Sequence, residues 1–498
     1  MESEEKLTRR EFMERTAASG LAINAIPSHV LGGSREISPN DKLNVALVGC
    51  GSMGLKLLEG WLKRPELQFI AACDPNKESR DYPWWGKPHG EERGKQGGRE
   101  VGRRRIDEYY SQNRGKEDYR GCSAYADFRE MLEAEKDLDV VFVMTPDHLH
   151  ATIAVAAMHR DVMVGTHKPV GNYMYETRVS CETARKRGIP THCFFFQDPP
   201  KTYTMRQLIK QGVIGKIKEL HRWTNRPVWP QGLPHPPEAE PVPEGFDWQL
   251  WLGPSQSRPY SHKYTHTRFR GWYEFGGGCL ADMGYYGLWR DWRVLDLGMP
   301  LSAKADTSFN CEIREFRSSP IENEVSYPRA STIHFKVPVR NEARIIDVHW
   351  YDGGIKPKTP EALIEKGEEL GIEGVIFVGE EGTIYTAYNG YDEMRILGVR
   401  NGNEKAASIT VPQAYKAKSK NEMIEAFQGV RTSRGSIDNA QTIAEAICLG
   451  NLAVRTNSPF RPGKRLEWDN KNLKVINSSE AQKYVKRQSR EGWGLEMS

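Results

Sequence analysis

No two of the eight cysteines form a CxxC pair or stand at any other metal-ligand spacing. This pattern argues against a zinc-ribbon module and gives no disulfide framework, so the thiols are expected as buried core residues. No apolar run reads as a membrane span: the mildly apolar stretch Thr16–Gly33 is interrupted by Asn24, Pro27 and His29. Charge of one sign is lacking too. Seventy Lys and Arg against 66 Asp and Glu leave a net charge of +4 over 498 residues, too little to imply a nucleic-acid partner. There is no internal repeat. The remaining composition, 38% hydrophobic with a mean hydropathy of −0.64, is that of a soluble globular chain of two or three domains with long polar loops.

Thr8-Arg9-Arg10-Glu11-Phe12 ahead of the uncharged stretch is similar to a twin-arginine export leader. The acidic opening (Glu2, Glu4, Glu5) and the lack of a clear A-x-A site leave a loose N-terminal arm as the other reading. Residues 1–39 are therefore expected to be a leader or arm. The protein is expected to be periplasmic or exported, with the cytoplasm as the alternative.

From Leu43 short apolar runs alternate with helical stretches, the signature of βαβ units and a parallel sheet. Strands are expected at Asn44–Val48, Gln68–Cys73, Asp139–Met144, Asp161–Gly165 and Thr191–Phe196. Helices are expected at Met53–Leu62, Ala126–Ala134, His148–His159 and Tyr173–Arg187. Residues 78–105, rich in Gly, Lys and Arg, read as an inserted surface loop, with Arg103, Arg104 and Arg105 in a solvated basic turn. Beyond residue 196 the character changes. A Pro- and Trp-rich stretch (Pro227–Pro259) suits ordered loops over a cleft. Strand-like runs at Ser331–Val337, Arg344–Trp350, Gly374–Val378 and Thr383–Thr386 follow one another without helices, and Glu422–Gly429 and Ala440–Arg455 read as helices. The fold expected is α/β. Residues 40–196 form a doubly wound Rossmann domain, and 197–498 an α+β domain with a large antiparallel-rich sheet for substrate binding and oligomerisation.

Three constellations carry chemistry. Gly49-Cys50-Gly51-Ser52-Met53-Gly54 is GxGxxG placed between a strand and a helix. Glycine there gives a tight turn, backbone approach to a pyrophosphate and close helix–strand packing. Asp74 ends the next strand, where an acid accepts from the adenosine ribose hydroxyls and repels a 2′-phosphate. NAD is favoured over NADP, although Lys77 and Arg80 stand close by. The second constellation, Val143-Met-Thr145-Pro146-Asp147-His148-Leu-His150 with Thr166-His167-Lys168-Pro169, lies at the carboxyl ends of expected parallel strands, where ligands bind. His148 with His150 is conceivable as a metal pair. No cluster stands at ligand spacing beside them, so no metal is expected. The third is Gly276-Gly-Gly-Cys-Leu-Ala-Asp282-Met-Gly-Tyr285-Tyr286-Gly-Leu288.

Together these motifs resemble the Gfo/Idh/MocA family of sugar and polyol oxidoreductases, over about residues 43–456. The closest likeness is to its long, leader-bearing members, through His221–Gly232 and Asp247–Pro254. The resemblance implies that Gly49, Gly51, Ser52, Met53, Gly54, Asp74, Thr145, Pro146 and His150 serve the cofactor, with Lys168 the active-site lysine of an E-K-P motif. His167 stands where the family usually has Glu. Tyr286 replaces the family's acid/base His and Trp289 an Asp. Asp282 to Leu288 nonetheless resembles the tyrosine version D-x-G-x-Y-G-L carried by glucose–fructose oxidoreductases, which are exported and hold their nicotinamide cofactor tightly. Lys168 and Tyr286 are expected as the acid/base pair, the ammonium lowering the phenol's usual pKa of ~10, with Asp282 holding the lysine or a substrate hydroxyl. Tyr285 competes for the tyrosine role.

Gln197 and Tyr203 fall where family members place substrate contacts. Trp223 and Trp272, with Trp229, Trp248 and Trp251, offer faces for sugar stacking. Arg222, Arg226, Arg270 and Arg290 are candidates to orient hydroxyls. The function expected is NAD-dependent oxidation of a secondary alcohol on a sugar or glycoside, with ring C3 and aldose C1 both open, in a homo-oligomer (dimer or tetramer). An NAD-dependent glycoside hydrolase working by transient C3 oxidation and a non-catalytic NAD or sugar sensor remain as alternatives.

Overall fold

The computed structural model describes residues 42–83, 94–113, 119, 121–388, 391–418, 421–461 and 463–496; the expected leader or arm, residues 1–39, lies outside them. In the first half of the chain the strands are β1 (Leu43–Val48), β2 (Leu67–Cys73), a hairpin of β3 (Ser79–Tyr82) and β4 (Lys95–Gly97), β5 (Ser123–Tyr125), β6 (Val140–Val143), β7 (Met163–Thr166) and β8 (Thr191–Cys193). Six of them form one parallel sheet in the order β5-β2-β1-β6-β7-β8. Successive side chains of a strand point to opposite faces, and β1 shows it: Ala46 and Val48 join one core, Val45 and Leu47 another. A strand buried on both faces must be apolar nearly throughout, as this one is. Helices α1 (Ser52–Trp61) and α2 (Arg99–Asn113) supply Leu55, Leu58, Val101 and Ile106 to one face. On the other lie α3 (Phe128–Ala134), α4 (His150–Met158) and α5 (Met174–Arg187).

Two expectations shift. The strand expected at Asp161–Gly165 begins at Met163, because Asp161 turns the chain with φ 59°, and the one expected at Thr191–Phe196 stops at Cys193. The larger correction concerns residues 78–105. The described parts are not a loop but the β3–β4 hairpin and the start of α2. The three arginines lie on a helix and are ion-paired: Arg103 with Glu100 and Asp107, Arg104 with Glu78, and Arg105 with Glu59. Helical periodicity was hidden because Gly102, packed toward the Cys50 sulfur, holds an inward position that composition scores as loop.

The second sheet has nine strands. Its order is β17 (Arg395–Leu397), β16 (Thr383–Thr386), β15 (Gly374–Gly379), β9 (Ile217–Trp223), β14 (Ile345–Tyr351), β13 (Ser331–Pro338), β10 (Ser302–Thr307), β18 (Leu466–Asp469) and β19 (Lys474–Val475). All pairs are antiparallel except β9–β14. A separate hairpin joins β11 (Asn310–Arg314) to β12 (Arg317–Ile321). Strand β13 alternates strictly, with Ile333, Phe335 and Val337 buried and the residues between them half-buried, as expected of a sheet with one face on a core. Against that face lie α7 (Gly278–Val294), which the glycine-rich motif opens, and α8 (Ile437–Arg455); α6 (Pro200–Lys210) packs on α7. Helix α8 also packs on α5, so one apolar core runs from the parallel sheet into the second sheet. Late segments return to the first sheet as well. Phe427 joins the core beneath α1, and Arg487 is buried against Glu176 at the start of α5 at 2.6 Å.

Helix α7 is fixed to the second sheet by charge. Arg222 on β9 meets Asp291 through two hydrogen bonds of 2.6 and 2.9 Å, both side chains fully buried, and Tyr391 donates to the same carboxylate at 2.7 Å. Arg222 is therefore a core anchor and not the substrate contact its sequence position suggested. Removing one partner of such a pair leaves an uncompensated buried charge, which costs about 3–5 kcal/mol. Asp291→Ala should lose stability of that order in chemical denaturation, whereas a loss below about 1 kcal/mol would mean water reaches the pair.

Candidate active site

The cleft opens at the carboxyl ends of β1, β6 and β7, between the parallel sheet and α7, and encloses about 270 Å³. The glycine loop forms its floor. Gly49 has φ +99°, and a Cβ there would stand 2.5 Å from the Met144 carbonyl carbon, so only glycine fits the turn. A Cβ on Gly54 would lie 2.1 Å from the Gly49 oxygen, which is how closely α1 rests on the loop. Helix α1 starts from Gly51 with no side-chain cap and no acid in its first turn. Its N–H groups and positive dipole are left for an anion such as a pyrophosphate. Asp74 stands beside them, accepting from the Cys50 N–H at 2.8 Å and the Asn76 N–H at 2.9 Å. The Thr145 hydroxyl is buried with no partner among the described residues. An uncapped helix start, a cradle that a Cβ would fill and an orphaned hydroxyl fit a dinucleotide.

The histidines of the second motif hold backbone. The His150 ring lies between the carbonyl oxygens of Thr145 (2.8 Å) and Pro169 (2.7 Å), tying the β6 and β7 ends together. His148 lies between those of Trp251 (2.8 Å) and Phe275 (3.2 Å). With all four ring nitrogens turned to carbonyls, the conceivable His148–His150 metal pair does not form. Between them Asp147 accepts from the Gly277 N–H at 3.1 Å and joins this motif to the start of α7.

The charged centre sits where β7, α7 and the preceding loop meet. Asp282 is ion-paired with Lys168 from the end of β7 and, at 2.7 Å, with Arg270 from the loop. The Lys168 nitrogen is 5.4 Å from the centre of the Tyr286 ring, and His167 meets that ring edge-on at 6.4 Å. Burial and the Arg270 guanidinium push the Lys168 ammonium well below its ordinary value, with Asp147 opposing. Burial raises the Tyr286 phenol, and Arg270 is the cation that opposes this. The expected lowering of Tyr286 by Lys168 is thus corrected: the lysine is turned onto Asp282, and desolvation of the phenol dominates. His167 is held neutral by burial and by Lys168 beside it. Tyr285 points elsewhere, fully buried against Phe195.

Of the expected residues, Gly49, Gly51, Ser52, Met53, Asp74, Thr145, Pro146, His150, Lys168, Asp282 and Tyr286 line the cleft. Gly54 supports the loop from behind. Four expected substrate residues are not brought there. Gln197 faces Arg290 at 3.5 Å, Tyr203 packs on Tyr415, Trp223 is buried beneath Leu363 and Leu370, and Trp272 is buried among the aromatics of the long loop. Trp229, Trp251, Arg226 and Arg270 do line the cleft, and Tyr82, Phe246, His266 and Phe269 join them unforeseen. Tyr82 lies under Gly51 and meets His266 with ring centres 4.0 Å apart and planes tilted by 47°. Only the β3–β4 hairpin brings it there.

Burial lifts the Asp74 carboxyl to about 6, against the two backbone donors and Arg99, which lower it. A value raised in the fold means that the site gains a proton as pH falls through that value, and a protonated carboxyl is a poorer acceptor for ribose hydroxyls. Dinucleotide affinity, followed by fluorescence titration, should be constant at higher pH and fall as pH drops through about 6. Asp74→Asn should bind weakly without that step. A wild-type profile with no step would remove Asp74 from the binding site.

Residues 105–194 match the family model described as the oxidoreductase-family NAD-binding Rossmann fold, GFO_IDH_MocA, and residues 205–292 match that of the family's C-terminal alpha/beta domain. Levoglucosan dehydrogenase of Pseudarthrobacter phenanthrenivorans is 29% identical over 94 residues, 18% of this chain and 24% of that one. A glycosyl hydrolase family 109 protein of Stenotrophomonas maltophilia is 25% identical over 223 residues, 43% and 41% of the two chains. The matches thus span less than half the length of either relative. A crystal structure of the WlbA dehydrogenase from Bordetella pertussis, in complex with NADH and UDP-GlcNAcA, shares the fold with a TM-score of 0.51 and 15% identity, over 86% of this chain and 99% of that one. With both domain models matched in chain order and the glycine loop, the lysine motif and the α7 motif facing one cleft, the chain belongs to the Gfo/Idh/MocA oxidoreductase family.

Proposed function

We propose that the protein oxidises an alcohol of a sugar or glycoside, at ring C3 or at aldose C1, with NAD rather than NADP as hydride acceptor. The observation that carries this reading is that the glycine loop and Asp74 share one cleft with Lys168 and Tyr286. Asp74 favours NAD because a carboxylate there accepts from ribose hydroxyls and repels a 2′-phosphate. The side chains of Trp229, Trp251, Phe246 and Phe269 line the same cleft and suit the C–H faces of a sugar ring.

When bound, the nicotinamide would supply the hydride acceptor. The chain supplies the proton path. Asp282 is shared between two cations, so its charge is not spent wholly on holding a proton on Lys168. Burial favours loss of the proton from Lys168, and the freed amine takes the substrate hydroxyl proton as the C–H bond gives up its hydride to the acceptor and the C–O bond becomes a carbonyl. Tyr286, kept protonated by burial, donates a hydrogen bond to the same oxygen; in the reverse direction the pair returns the proton.

Lys168→Ala and Tyr286→Phe should each lower kcat/KM on a responsive glycoside by roughly 10²–10⁴-fold while the cofactor stays bound. Near-wild-type turnover in Tyr286→Phe would exclude the tyrosine. Because the folded value of Lys168 is depressed, the rate of alcohol oxidation should rise with pH at an apparent pKa below that of free lysine. Lys168→Arg should remove that limb, and a wild-type rate independent of pH would speak against lysine as the base. The likeness to the family 109 protein favours a second reading, hydrolysis through transient oxidation at C3. Release of free sugar from an aryl glycoside with no net NADH would establish it in place of the dehydrogenase.

A further inference from the structure

On the face of the second sheet turned away from α7, three histidines stand side by side on adjacent strands. His221 of β9 pairs in register with His349 of β14, which pairs with His334 of β13. Strand alternation places Glu219 on the same face as His221, while Leu220 and Arg222 point to the core and α7. The Glu219 carboxylate oxygen lies 3.0 Å from His221 Nε2 and 3.9 Å from His349 Nε2. One ligand atom from each of these three residues falls within 4.8 Å of the others. The two imidazoles stack with centres 4.5 Å apart and planes 9° apart, and both Nε2 atoms lie toward the Glu219 carboxylate.

The opposite ring nitrogens are occupied. His221 Nδ1 meets the Tyr351 hydroxyl at 3.0 Å, and His349 Nδ1 meets His334 Nδ1 at 2.5 Å. A second partner on the far nitrogen is what orients a ligating histidine and fixes its tautomer. Glu219 is about half exposed, with side-chain exposure of 47% against 16–17% for the two histidines, so an ion can enter from solvent.

From this geometry we infer a divalent transition-metal site of zinc type formed by Glu219, His221 and His349, oriented by Tyr351 and His334, on the sheet face away from the cleft. Two imidazoles and a carboxylate form a borderline N/O donor set that takes zinc tetrahedrally, with the fourth position left to water. Tetrahedral ligands about 2.1 Å from one ion stand about 3.4 Å apart, so closing the set from within 4.8 Å needs shifts on the order of 1 Å and a turn of the two rings out of their parallel stack. The ion would bridge β9 and β14, the one parallel pair in a sheet whose other pairs are antiparallel. Parallel pairing is slightly the weaker kind, so a cross-strand staple acts where it adds most. Sequence spacing could not show the site, because its ligands come from strands more than a hundred residues apart and only pairing unites them.

The test uses the full chain without a histidine tag, stripped with a chelator, reloaded with Zn²⁺ and analysed for metal. The inference expects one zinc per chain, an unfolding midpoint that rises with Zn²⁺ concentration, and neither effect in His349→Gln or Glu219→Gln. Circular dichroism melting of the metal-free variants verifies that they fold. Co²⁺ loaded into the wild-type chain should give the intense visible bands of a four-coordinate nitrogen and oxygen site, a readout that needs no variant. Sub-stoichiometric zinc in the wild type, unchanged zinc in both variants, or a six-coordinate Co²⁺ spectrum would overturn the site.

Discussion

A single carboxylate, Asp282, binds two cations from different parts of the chain in a cleft from which water is largely excluded, and the rest of the structure is built to keep it there. Lys168 arrives on the end of a parallel strand, Asp282 on a helix and Arg270 on a long loop. None can drift by an ångström without leaving a charge unpaired in a medium that penalises it heavily. The buried pairs elsewhere supply the rigidity this demands. Arg222 with Asp291 fixes the helix to the second sheet, and Arg487 with Glu176 fixes the late chain to the first. Arg178 with Glu445 locks α5 to α8 where the two domains share their core.

The same desolvation sets the proton chemistry. Burial disfavours whichever form of a group is charged, so it drives the lysine down and the tyrosine up. The two pKa values start nearly equal and move apart, the ammonium becoming the readier proton donor and the phenol the more reluctant one. Arg270 contributes the field that an exposed residue could not.

Much of this was legible residue by residue. The strand, glycine loop and helix from Leu43 to Trp61 follow from local rules, as does the acid at the end of β2, because each acts within about 30 residues of chain. Lys168, Asp282 and Tyr286 were legible as motifs, though their contact was not. The tryptophans illustrate the limit. Trp223, Trp229, Trp251 and Trp272 all lie in aromatic-rich stretches, yet two line the cleft and two are core. Which way an indole faces depends on what packs behind it, and a loop without periodicity carries no record of that. Tyr82 and the arginines of α2 were misread for the related reason that small inward-facing residues look like loop in composition.

By itself the sequence determined the local elements: a parallel sheet, a phosphate-binding turn that only glycine can make, and a lysine and a tyrosine each carried by a recognisable motif. The tertiary structure decided their state. It brought Arg270 and Lys168 onto Asp282 beside the tyrosine ring, raised the phenol and depressed the ammonium. It also lined up Glu219, His221 and His349 on the far face of the second sheet. Charge state and ligand geometry depend on distance and on the exclusion of water, and both come into being only when strands and helices far apart in the chain are packed against one another.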